Sequence, residues 1–182
     1  MIKIILFVCF TVGAIGVNAE SIAYQKIPNC PSAEKNIENI YANKDLSVSV
    51  CYHSGEWDVF AVSSDSHSWL DFKRGNDFYS TEQAVVYEFP NVQFPNLADG
   101  KMELHTKNNT LIGVIFRIVQ GDSKTSSELY VVKLDATGAY FCGREKANDK
   151  ARLRLSNISA CKPLPLKELV LKSLPAHERK RN

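Results

Sequence analysis

The side chains able to do acid–base or metal chemistry are few and scattered. His53, His67, His105 and His177 show no ligand spacing and there is no Cys-x-x-Cys, so no metal and no cofactor are expected. His105 stands two residues from Glu103, which puts both on the outward face of an extended strand, with Met102 and Leu104 turned inward. Gly121-Asp122-Ser123 has the outline of a nucleophile motif, but Lys124 and a polar run follow, so it reads as a surface turn. With no Gly-x-Ser-x-Gly elbow, His-Glu-x-x-His pair or P-loop, the expectation is a protein that is not an enzyme. Asn108-Asn109-Thr110 and Asn157-Ile158-Ser159 match the N-glycan acceptor pattern, the first of them in a hairpin turn.

These groups sit in a chain of 182 residues with 22 Lys and Arg against 20 Asp and Glu. So even a balance recruits neither nucleic acid nor an acidic membrane. Met1-Ile2-Lys3-Ile4-Ile5-Leu6 opens a run that stays apolar to Val17, and Val17-Asn18-Ala19 follows. That is the pattern of a secretory leader cut after Ala19, so residues 1–19 are set aside and the protein is expected to be secreted and extracellular. No later run approaches the roughly 20 apolar residues of a membrane span, so no membrane insertion is expected. Residues 20–175 suit one domain, and 176–182, with Arg179-Lys180-Arg181, a frayed basic tail. Cys9 leaves with the leader. Cys30, Cys51, Cys142 and Cys161 remain, an even number fit for two disulfides in an oxidising compartment, with three possible connectivities. Two lie early and two late, which favours long-range bridges without excluding Cys30–Cys51 with Cys142–Cys161.

The elements that must position these residues are mostly strands. Residues 24–41 form a lead-in, in which Ser32 caps a short helix. Residues 46–52 alternate as a half-buried strand does, and Gly55 turns the chain into a second strand in which Trp57, Val59 and Ala61 share a face. A long loop spans roughly 63–80, interrupted by Trp69, Leu70 and Phe72. Strands are expected at 83–89, 101–106, 111–119 and 151–155, and a hairpin at 128–142 turning on Asp135-Ala136-Thr137-Gly138. Leu166, Leu169, Val170 and Leu174 share one face of a C-terminal helix. About eight strands at this spacing make an antiparallel barrel or, alternatively, a β-sandwich.

Strands followed by one helix, in a chain of this kind, resemble the lipocalin family. Gly55-Glu56-Trp57-Asp58-Val59-Phe60-Ala61 is similar to the family's Gly-x-Trp segment, although Asp58 stands where an aromatic is usual. Residues 130–142 resemble its late hairpin, with Leu134 and Ala136 as departures, and the basic strand at Arg152 or Arg154 resembles its third segment. The resemblance implies a single antiparallel eight-stranded barrel with a C-terminal α-helix. In it Gly55 and Trp57 would close one end beneath the guanidinium of Arg154. It further implies Cys30 paired with Cys142 and Cys51 with Cys161, each bridge stabilising by about 4–5 kcal/mol in the chain-entropy model.

The functional expectation is a monomeric binding protein that carries or sequesters a small, largely hydrophobic ligand among Tyr87, Phe89, Leu104, Phe116 and Tyr130. The competing expectation is a secreted sandwich acting on a protein partner through its surface, with Trp69 in the 63–80 loop as anchor.

Overall fold

Alternating apolar side chains carry most of the chain into strands, and two chain ends then join the sheets those strands build. The computed structural model describes residues 20–33, 45–88, 94–120 and 126–167. The leader, the basic tail, Phe89, the 121–123 turn and the helical face beyond Lys167 lie outside the described residues. The strands are β1 (Glu20–Lys26), β2 (Ser47–Ser54), β3 (Trp57–Ser63), β4 (Ser68–Arg74), β5 (Asp77–Ser80), β6 (Pro95–Leu97), β7 (Lys101–Lys107) and β8 (Thr110–Gln120). After them come β9 (Ser126–Asp135), β10 (Gly138–Glu145), helix α1 (Asn148–Ser156) and the short β11 (Lys162–Pro163).

β2-β3-β4-β5 form one antiparallel sheet, and β1-β7-β8-β9-β10-β11 the other, with β6 beside the distal end of β8. Neither sheet closes on itself. The arrangement is two open sheets, sandwich-like, where the resemblance implies a closed barrel. What joins the sheets is chain that leaves one and enters the other. Beyond β1, the Ala33 amide donates to Val48 O (2.9 Å) and the Val50 amide to Pro31 O (2.8 Å), attaching the N-terminal segment to β2. Beyond β11, the Ser80 amide donates to Pro165 O (3.2 Å) and the Lys167 amide to Phe78 O (2.7 Å), attaching the C-terminal segment to β5. A third tie is Ser68, whose hydroxyl accepts the Leu97 amide (2.7 Å) and donates to Asn96 Oδ1 (3.1 Å).

The main core includes Trp57, Phe60, Phe72, Leu104, Phe116 and Tyr130, all buried. Each such side chain contributes about 2–3 kcal/mol by leaving water. A second cluster joins Ile115, Leu129 and Val131, on the other face of β8 and β9, to Ala151 and Leu155 of α1. Gly113 permits that approach, because a Cβ there would stand 2.5 Å from a Leu155 methyl.

Several expectations are corrected. Residues 24–26, expected in a lead-in, belong to strand β1, and Ser32 bridges Ser49, while the helix expected after Ser32 lies outside the described residues. The 63–80 loop is the β4–β5 hairpin, turning at Gly75 with φ +58°, and Trp69 is only 2 % exposed, so it cannot anchor a partner. Residues 83–87 form one π-helical turn, not a strand. Thr81 pins the chain to β4 through its amide (3.2 Å) and hydroxyl (2.7 Å) on Leu70 O, and the next amides bond locally. Residues 151–155 are helical because burial follows Ala151 and Leu155, four apart, while Leu153 between them is 71 % exposed. The disulfides are Cys30–Cys51 and Cys142–Cys161, not the pairing the resemblance implies. With separations of 21 and 19 residues, each stabilises by about 3 kcal/mol in the entropic model.

Candidate functional site

The four expected ligand residues that the structure describes do not line one site, and the fifth, Phe89, lies outside the described residues. Leu104, Phe116 and Tyr130 are fully enclosed in the main core, with the Phe116 and Tyr130 rings 5.6 Å apart. Tyr87 leaves them for the surface, 72 % exposed on the π-helical turn. The ring series continues outward, however: Tyr130 lies 5.6 Å from Phe141, and Phe141 lines a cleft of about 410 Å³.

That cleft is built where β9 begins and β10 ends. Its walls carry Arg144, Arg154, Lys162, Glu88 and Glu128, so cations and carboxylates surround the Phe141 ring. A bulge in β10 between Phe141 and Gly143 sets this up, because the register shift brings Arg144 directly across from Tyr130. Gly143 adopts φ +109°, a conformation that disfavours other residues. A Cβ at that glycine would stand 3.0 Å from Arg154 Nη1, so its absence lets the guanidinium lie on the strand. Arg154 donates from Nε to Glu145 (2.7 Å) and from Nη1 to Cys142 O (3.2 Å), which fixes it beside the Cys142–Cys161 bridge. Arg144 Nη1 stands 3.4 Å from Glu128 Oε2. Burial pushes the Tyr130 phenol well above its usual range, against the pull of the neighbouring Arg144. It stays a neutral hydroxyl at physiological pH.

The opposite end carries Gly55 and Trp57. Gly55 turns at φ +60°, and Trp57 is buried with its ring 5.7 Å from Tyr79. A guanidinium does lie over the indole, at 5.9 Å, but it belongs to Arg74 of β4. Arg74 also pairs with Glu56 (3.0 Å) and donates to Ala136 O, tying three hairpins together. Arg154 is corrected from this end to the cleft, because it rides on α1 rather than on a strand.

A polar cluster lies beneath α1. Glu103 is 3 % exposed and accepts from Arg152 Nε (2.9 Å), Arg152 Nη2 (2.8 Å) and Asn148 Nδ2 (3.0 Å). His105 Nε2 stands 3.1 Å from its other side. Burial opposes ionisation of this carboxyl, but the hydrogen bonds from Arg152 and His105 outweigh it and hold the group below the usual glutamate range. Both members of the expected outward pair are on one face, where the helix covers Glu103 and His105 lies partly buried beside it.

The glycan acceptors differ in their surroundings. Asn108 and Asn109 make the β7–β8 turn with φ +50° and +63°. Asn157 turns its side-chain oxygen inward on its own motif, accepting from the Ser159 hydroxyl (2.8 Å) and amide (3.3 Å). Among the described residues no cluster of three or more His, Cys, Asp or Glu has the form of a metal site, and no helix is long and apolar enough to cross a membrane.

Sequence reading missed Arg144, Lys162 and Phe141. One signal pointed to them: Gly143 interrupts a strand, and such a glycine marks a bulge that re-aims its neighbours. Comparison with family models, curated proteins and solved structures finds no match to this chain.

Proposed function

We propose that this is a secreted, non-catalytic binding protein for a small, largely hydrophobic molecule that carries an anionic group, held at the β9–β10 cleft. One observation carries the reading: the Phe116–Tyr130–Phe141 ring series leads from the core into a cleft lined by Arg144, Arg154 and Lys162. The apolar part of the ligand lies on Phe141, and the anion meets the guanidinium of Arg144 and the ammonium of Lys162. The lipocalin-like reading survives here as a mode of action, sequestration without chemistry, with the guest at the end of the sandwich instead of inside a barrel. Secretion is supported by two disulfides and the apolar opening of the chain, and the turn at Asn108 suits a glycan.

The test uses 8-anilinonaphthalene-1-sulfonate, an aromatic sulfonate that fluoresces on leaving water. We expect saturable binding by the folded protein, weakened about tenfold or more by Arg144→Gln/Lys162→Gln while the thermal transition is kept. No saturable signal, or equal affinity in the variant, overturns the reading.

A second reading, action on another protein through the surface, rests on Tyr87 and Leu166. They are 72 % and 58 % exposed and flank a separate cleft of about 420 Å³. Under that reading Tyr87→Ala/Leu166→Ala removes the protein's effect, and the Arg144 and Lys162 substitutions do not.

A further inference from the structure

Strand β1 stands at the edge of its sheet. β7 occupies one side, and among the described residues no strand pairs with the other. Six of its seven residues are exposed, including Ala23 on one face and Ile22 and Tyr24 on the other. It lacks the devices that usually blunt a free edge. Residues 21–25 hold no charge and no proline, and the ladder runs from Glu20↔Lys107 to Lys26↔Lys101 without a bulge. Opposite charges mark its two ends. Within the chain Glu20 has Lys107 at 3.4 Å, whereas Lys26 faces another cation, Lys101, across the ladder.

We propose that β1 pairs antiparallel with β1 of a second copy of this chain, about a two-fold axis through Ala23. In that register Glu20 faces Lys26 at both ends, Ser21 faces Gln25, and Ile22 faces Tyr24, an aromatic beside a β-branched residue. The contact is isologous, so the same seven residues supply both halves. A parallel pairing sets Glu20 on Glu20 and Lys26 on Lys26, and a slip of two residues leaves those charges unmatched. The Lys26 ammonium, which faces Lys101 across the ladder and has no carboxylate partner among the described residues, gains one. A contact this short is smaller than a standard interface, so the dimer is reversible and weak. It replaces the monomer expected from the sequence and does not depend on the cleft.

Two experiments on the full chain, secreted with its disulfides formed, test it. Sedimentation across a concentration series is expected to show monomer and dimer in exchange. Lys26→Glu raises the dissociation constant about tenfold, and adding Glu20→Lys restores it. Probe binding at the cleft stays unchanged in both variants. Independently, Ala23→Cys brings two Cα atoms to about 5 Å across the axis, within disulfide reach, so it yields a covalent dimer. Ser21→Cys, two residues off the axis on each chain, does not. A dissociation constant indifferent to Lys26→Glu, or Ala23→Cys that cross-links no better than Ser21→Cys, overturns the pairing.

Discussion

Glu103 is a carboxylate under a helix, and its stability contribution depends on remaining charged. Its folded pKa lies below the unfolded value, so the stabilisation is present above the usual glutamate range and is lost as pH falls through the folded value. Denaturant titration of wild type and Glu103→Gln is expected to give a gap of about 2 kcal/mol at neutral pH. The gap closes as the solution is acidified below pH ~4, and a constant gap from pH 7 to 3 counts against this account. The face that Glu103 shares with His105 was legible, because strand alternation assigns it. Its burial was not. The guanidinium that compensates it lies 49 residues away, and no local pattern reports a partner at that range. The same limit hid the cover over Trp57: a cation over that ring was expected, but the cation is Arg74, from a segment read as loop.

At the scale of elements, α1 shows how one pattern admits two periods. Ala151-Arg152-Leu153-Arg154-Leu155 alternates like a strand, yet Ala151 and Leu155 also fall one helical turn apart, and those two are the buried ones. The helix succeeds because Gly113 on β8 leaves room for Leu155. Gly113→Ala is expected to destabilise by about 1–3 kcal/mol, since its Cβ would meet both Leu155 methyls at 2.5 and 2.8 Å. Adding Leu155→Ala should recover part of that loss, a non-additivity that a double-mutant cycle in denaturant measures directly. The 128–142 hairpin, by contrast, was legible from its turn chemistry alone. Asp135 accepts the Thr137 amide at 2.7 Å and the Gly138 amide at 3.2 Å, and a two-residue loop follows from that. Disulfide pairing was illegible for the opposite reason: the cysteine positions admit three solutions, and only the placement of β2 and β10 selects among them.

For the molecule as a whole, the informative feature is that both ends of the described chain change sheets. Ending the chain after Cys161 keeps both disulfides but removes the acceptor of the Ser80 amide and the donors to Phe78 O and Ala139 O. Hydrogen exchange is expected to speed up at Ser80 by about tenfold or more, with little change at the centre of β8–β9. Equal protection in the truncated chain would show that the crossing carries no weight. Antiparallel pairing was readable from spacing, but strand number was not, since 83–87 and 151–155 are helical while β1, β4, β5 and β6 fall in segments not read as strands. How the sheets join was not readable either, because it depends on which strand meets residues 165–167, as in the bridge between Tyr79 and Leu166, far apart in the sequence. During synthesis residues 47–80 leave the ribosome before residues 165–167, so β5 keeps an open edge until that later segment reaches it. Until that segment arrives, the growing chain presents an unpaired strand to its neighbours.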